Sequence, residues 1–287
     1  MIDVHCHLNF HSFEKDYDEV IKSAFEAGVT KIINVGTKID SSQLAVELAS
    51  KYDNLYAIVG VHPHHADKIQ KESVILGSKA TPESDSGQAR MTDTNWLDQL
   101  ETLAQNPKVV AIGEIGLDYF SYKSNDIVDP KLQKEVFIKQ IELAHKLKLP
   151  LQIHNRQAGK DILDILLNHK SYLLSSPGMF HCFAGSIDIL KQALNLGFYI
   201  GFDGNITYSG IAPGEDTDLK DLVKYTPLDR IVTETDSPFL TPLPHRGSRN
   251  VPSYVIITAK FIARIKDIAF DEFEAKTTAN ATKLFTL

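Results

Sequence analysis

A (β/α)8 TIM barrel is the fold this sequence predicts, and three observations predict it. Eight short runs rich in β-branched residues recur along the chain, longer amphipathic stretches separate them, and the alternation persists from one end to the other. Parallel strands joined by crossover helices produce that pattern, and eight such units close into a barrel. The expected strands are Ile2–Cys6, Lys31–Val35, Leu55–Val59, Val109–Gly113, Leu151–His154, Met179–Cys182, Phe198–Gly201 and Arg230–Glu234. An open dinucleotide-binding sheet is the rival, but no Gly-x-Gly-x-x-Gly run follows the first strand.

Between the strands, apolar residues keep helical spacing. Leu132, Val136, Phe137, Leu143, Ala144 and Leu147 share one side of a segment that Pro150 stops, so that side faces the barrel. After the eighth strand, Val255–Ile265 and Asp271–Phe285 continue the helical rhythm. The last helix is expected to pack outside the barrel or cap it, within one domain spanning 1–287. One stretch breaks the rhythm. Gly77–Thr94 is rich in Ser, Thr, Asp and Gly and too poor in apolar residues to order itself. It reads first as a solvated insertion, or else as a lid, since loops after barrel strands surround the active face.

Composition narrows the function classes. With 287 residues, 43% hydrophobic and 23% charged, the chain is neither disordered nor fibrous. Two cysteines far apart exclude a disulfide scaffold, and with no leader-like N-terminus they lead us to expect a cytoplasmic protein. No apolar run approaches the roughly 18 residues of a membrane span. The net charge of −7 supplies no general attraction for nucleic acid, so any phosphate partner must be drawn in locally.

Metal ions could provide that attraction. In Asp3-Val4-His5-Cys6-His7, strand alternation sends His5 and His7 to one face and Cys6 to the other. Alone, two such histidines are as readily satisfied by backbone and water as by metal. Other strand ends carry metal-binding residue types too: Glu114 after the fourth, His154 at the fifth, His181 at the sixth and Asp236 past the eighth. A barrel gathers these ends onto one rim. Imidazole and carboxylate together suit zinc, manganese or a similar divalent ion, and six ligands exceed one tetrahedral shell. The arrangement expected is two ions sharing Glu114, with His5, His7 and Asp236 on one and His154 and His181 on the other. Paired ions about 3.5–4 Å apart clamp the attacking and leaving oxygens of a phosphoryl transfer.

The segments around these residues resemble the TatD family of metal-dependent deoxyribonucleases. Matching stretches are Asp3-Val4-His5-Cys6-His7-Leu8, Gly60-Val61-His62-Pro63-His64, Ala111–Tyr119, Leu151–Arg156, His181–Gly185, Glu234–Leu240 and Asn280–Phe285, in order across nearly the whole chain. The resemblance implies a two-metal barrel hydrolase that cuts DNA phosphodiesters, typically as a 3′-5′ exonuclease, with metal bound by the residues matching His5, His7, Glu114, His154, His181 and Asp236. Three departures stand out: the Gly77–Thr94 insertion, Asp203 where a small residue is usual, and added acids in Gly214–Asp218 that would repel a DNA backbone.

On this reading Asp236 and Glu114 are the catalytic carboxylates. Glu114 bridges the two ions, and Asp236 orients a water whose pKa falls to roughly 7, or takes its proton. His62 is expected to donate to a phosphate oxygen. Arg156, on the same side as His154, either grips a phosphate or forms a surface ion pair. Asp118 and Tyr119 close the loop after Glu114, and Tyr119 either stacks a base or simply packs there. Glu234 would be buried and paired, supporting a ligand rather than binding metal. His64 sits beyond His62 on the loop; its plain reading, with His65, is an exposed solvated pair, the favoured reading for His65, while Cys6 and Cys182 read as small buried apolar groups. DNA is the expected partner, acting as transient substrate, and the chain is expected to be a monomer. An alternative keeps the two ions but makes the target an amide or ester. Many related hydrolases of that kind carry a carboxylated lysine as bridge, so Glu114 favours the nuclease.

Overall fold

The computed structural model describes residues 1–69, 95–122 and 127–287, so the Gly77–Thr94 stretch lies outside the described residues. Eight parallel strands follow one another in chain order: β1 (Ile2–Cys6), β2 (Lys31–Val35), β3 (Leu55–Val59), β4 (Val109–Asp118), β5 (Leu151–Arg156), β6 (Gly178–Phe180), β7 (Tyr199–Phe202) and β8 (Ile231–Thr233). The ring closes through a parallel bridge between Cys6 and Ser237. There Asp236 N donates to His5 O at 2.9 Å, and His7 N donates to Ser237 O at 2.8 Å. The result is a nearly closed (β/α)8 barrel, as the alternation predicts.

The first three strands match their expected spans, and the later ones differ for local reasons. β4 runs on to Asp118 because β5 continues beside it, pairing Gly116 with His154 and Asp118 with Arg156. Gly116 looks like a breaker, yet only glycine fits: its φ is +140°, and a Cβ would lie 2.0 Å from the His154 carbonyl oxygen. β6 stops early, and Cys182 then takes a left-handed φ of 44°. His181 and Glu234 therefore stand just past their strands.

Helices Tyr17–Glu26, Ile39–Ala49, Trp96–Ala104, Pro130–Leu147, Gly159–Asn168, Ile187–Asn195 and Leu219–Tyr225 lie between strands, and Val255–Ile265 and Phe270–Phe285 follow β8. The longest starts where Pro130 takes the first helical position and Asp129 accepts from Lys131 N at 2.9 Å. It ends at Lys148, which is left-handed, two residues before Pro150. Among the described residues no helix is long and apolar enough to cross a membrane.

Two apolar layers result. The larger fills the space between strands and helices, including Ile32, Ala57, Phe137, Leu166 and Phe198. The smaller fills the lower barrel with Ile2, Val4, Ile33, Val35, Ile58, Met179, Tyr199 and Val232. Ala281, Leu284 and Phe285 of the final helix join that inner layer, so the helix caps the barrel floor. Asn280 Nδ2 anchors it, donating to Leu228 O at 2.9 Å and Ile231 O at 2.8 Å. Among the described residues, the grouped histidines and acids lie at the opposite end. Phe285→Ala should lower unfolding stability by about 3–5 kcal/mol. Leu44→Ala, at a residue 49% exposed, should change it by less than about 0.5 kcal/mol, both read from urea denaturation midpoints.

Candidate metal centre

Two irregularities in the strands aim the central ligands inward. On β1, Asp3 is in register with Ile32 and Cys6 with Asn34, so three steps face two. Val4 and His5 both turn inward across that bulge, and alternation then brings His7 to the same face. β4 repeats the device: Ile112 pairs with Leu151 and Ile115 with Ile153, leaving an extra residue at Gly113-Glu114. Bulges of this kind re-aim side chains beside functional sites.

The histidines and acids expected at the rim do meet. His5 Nε2 and His7 Nε2 are 3.1 Å apart, and Asp236 Oδ1 lies 3.6 and 3.4 Å from them. Glu114 Oε2 is 3.8 Å from His5 Nε2 and 3.9 Å from His7 Nε2. A tetrahedral shell with bonds of about 2.0–2.2 Å sets its donors roughly 3.3–3.6 Å apart, so this foursome fits one cation with small adjustments. The other Glu114 oxygen, Oε1, faces a different group: His154 Nδ1 at 2.8 Å, His62 Nε2 at 3.5 Å and His181 Nε2 at 3.6 Å. Glu114 thus presents one oxygen to each side.

The chemistry of the set also fits cations. Glu114, Asp118, Glu234 and Asp236 sit in or beside the barrel mouth, and among the described residues their ion-pair partners are all histidines. Among the described residues no lysine or arginine forms an ion pair with them, so a bound cation would supply positive charge there. Burial disfavours the charged form of Glu114, yet His62, His154, His181 and His5 hold its carboxyl well below the usual range. Burial likewise opposes charge on His181, but the Glu234 carboxylate leads the groups that lift it to about 10.

A layer behind the donors fixes their directions. His7 Nδ1 meets Val35 O at 2.9 Å. Glu234 is fully buried, with Oε2 3.2 Å from His181 Nδ1 and Oε1 accepting from Cys182 N at 2.5 Å. Gly201 makes room for it, because a Cβ there would lie 2.5 Å from Glu234 Oε1. Asp3 accepts from Thr235 N at 2.9 Å and from Thr235 Oγ1 at 2.7 Å, fixing the backbone one residue before Asp236. Asp203, the unusual acid after β7, accepts from Asn205 N at 2.9 Å. Burial, with Glu234 and Asp236 nearby, pushes its carboxyl up to about 7.

Several expectations need correction. Asp118 belongs to a strand rather than a loop, and its carboxylate is buried in the site. It lies 3.0 Å from His154 Nε2 and from His64 Nε2, and accepts from the Tyr122 hydroxyl at 3.1 Å. Its even spacing from Glu114 is the sequence signal for a shared face, and it holds only because the strand continues past Gly113. His62 sits among the donors rather than at the rim, as one of a compact group with Asp118 and His154. His64 faces inward, and His65 is half-buried with Nδ1 2.9 Å from Thr37 O. Tyr119 turns away from the donors: its ring packs on the outer core and its hydroxyl donates to Asp161 at 2.8 Å. Arg156 stacks over the rings of Phe120 and Tyr122, at 4.3 and 5.0 Å. Cys6 is buried as expected, but Cys182 lies in a polar setting, 3.4 Å from Asn205 Nδ2.

Comparison with known proteins agrees with this architecture. Residues 2–286 match the family described as TatD related DNase. The chain is 38% identical over 286 residues to a Bacillus subtilis (strain 168) protein named uncharacterized metal-dependent hydrolase YabD, covering 99% of this chain and 98% of that one. It is 33% identical over 292 residues to an Erwinia tasmaniensis protein named 3′-5′ ssDNA/RNA exonuclease TatD, covering all of both. Among solved structures, YjjV, a TatD homologue from Escherichia coli K12, superposes with a TM-score of 0.83 at 28% identity, covering 100% of this chain and 98% of that one. With the barrel, its histidine- and carboxylate-lined mouth and a family match from end to end, the chain belongs to the TatD family of metal-dependent hydrolases.

Proposed function

We propose that this protein is a deoxyribonuclease that hydrolyses DNA phosphodiesters from the 3′ end with two divalent cations. One observation carries the reading: Glu114 offers Oε2 to His5 and His7, and Oε1 to His154, His181 and His62. A carboxylate shared in this way suits a pair of ions. Its similarity to the Erwinia exonuclease supports the choice of substrate. When bound, the cations supply charge for the phosphate oxygens and lower the pKa of water toward neutrality.

The residues divide the remaining work. Asp236 is the more open of the two central carboxylates, its side chain 14% exposed against 6% for Glu114. It is placed to take the proton of an attacking water, while Glu114 holds the two halves of the site together. Glu234 keeps His181 in one orientation. His64, its side chain 25% exposed, extends the Asp118–His154 network toward solvent, where it can donate to a phosphate oxygen. Arg156 presents its guanidinium from an aromatic bed, able to meet a phosphate edge-on. Near β5 and β6, Glu215 and Asp216 line a cavity of about 510 Å³ with Lys160 and Ser186.

Chelator treatment should abolish cleavage of linear single-stranded DNA, with recovery on adding manganese, magnesium or zinc, and elemental analysis should find about two ions per chain. A 5′-labelled oligonucleotide should shorten into a ladder from its 3′ end. Intact DNA alongside cleaved ester or amide substrates would favour the acyl-hydrolase alternative. Asp236→Asn should lower kcat about 10²- to 10⁴-fold, measured in protein shown to retain metal. Glu234→Gln should weaken metal binding about 10- to 100-fold, with cleavage recovering at saturating metal.

A further inference from the structure

Phe239 is a large apolar side chain in an unusual place. It follows Asp236 by three residues, and the residue is 50% exposed. Its backbone is rigidly held: Phe239 N donates to Asp236 O at 2.8 Å, and Asn250 Nδ2 bonds both Phe239 O at 2.6 Å and Thr235 O at 2.8 Å. Its ring packs edge-on toward Phe10 and His7, with centroids 6.2 and 6.3 Å away. Phe10 in turn stacks on the His7 ring at 4.3 Å. An aromatic shelf therefore rises from the His5–His7–Asp236 group, with a ring fixed at the lip and open to solvent. A scattered exposed phenylalanine needs no explanation, but this one adjoins the metal donors, on a backbone tied down at both ends.

We propose that Phe239, backed by Phe10, stacks a nucleobase next to the scissile phosphate, and that this makes the enzyme select unpaired ends. The inference rests on the nuclease reading above and deepens it. An aromatic face accepts any base, because every base presents a π-face, and the base must leave its duplex partner to lie on the ring. Residue size and chemistry at position 239 then set the preference for base-bearing, single-stranded substrate, while the metal donors and Asp236 act on the phosphate whatever its bases.

The test uses the metal-loaded, full-length protein. Oligonucleotides carry either a normal or an abasic 3′-terminal residue, and a phosphorothioate-ended version carries 2-aminopurine at the 3′ end as a stacking probe. Phe239→Ala should raise KM for the normal single strand about tenfold, within the range that base–aromatic stacking supplies, with a much smaller effect on kcat. Wild type on the abasic end should fall to the level of the variant, and Phe239→Trp should retain tight binding. Binding should quench 2-aminopurine fluorescence in wild type and Phe239→Trp but not in Phe239→Ala. Equal loss on normal and abasic ends, or unchanged quenching in Phe239→Ala, would overturn the shelf while leaving the nuclease reading standing. Failure of wild type to bind or cut either oligonucleotide would remove both.

Discussion

Burying carboxylates in an apolar barrel is costly unless something positive faces them, and that constraint organises the molecule. Glu114 sits at the centre of the mouth with histidines on both sides. The final helix and the lower apolar layer fill the other end, so the grouped histidines and acids reach solvent through the mouth. The supporting residues, Glu234, Asp3, Asp118 and the Val35 carbonyl, then hold each donor in one direction. Floor and mouth are two parts of a single solution: one end is sealed with hydrocarbon so that the other can concentrate charge.

The sequence made the fold and the central donors legible because both depend on short periods. Strand–helix alternation survives in a single chain, and His5 with His7 can be read from a spacing of two. Features that depend on departures from regularity were harder to see. The bulges that aim His5 and Glu114 leave no mark in residue type. β4 continues through Gly116 because β5 pairs beside it, with the His154 carbonyl leaving room for glycine alone, a contact between strands that no local pattern encodes. That extension hid Asp118, and it changes the meaning of Tyr119, whose side chain falls on the outer face. His62 reads as a phosphate contact and His64 as a loop histidine until β3 and β4 are set side by side. Cys182 departs for a related reason: strand alternation does not extend to a residue whose backbone is already left-handed.

Around the donors, the mouth is lined by aromatic groups in two places. Phe10 and Phe239 flank the His5–His7–Asp236 group, and Phe120 and Tyr122 carry Arg156 beside His154 and Asp118. A chain with a net charge of −7 cannot hold a polyanion by long-range attraction. Under the proposed nuclease reading, short-range contacts with rings and with charges confined to the centre would take that role, and they would favour a flexible strand that can unstack over a rigid helix that cannot.

The bridge that closes the ring also has a meaning for how the molecule is made. Asp3 and Thr235, whose contact sets Asp236 in place, lie 232 positions apart. While the chain is being synthesised, the histidines at its start emerge long before the acid they are to share an ion with. A chain halted halfway holds imidazoles with no completed cradle, and capture of an ion by the full set becomes a signature of finished topology. Whatever energy an ion contributes through His5, His7 and Asp236 together reaches the chain only once the ring has closed.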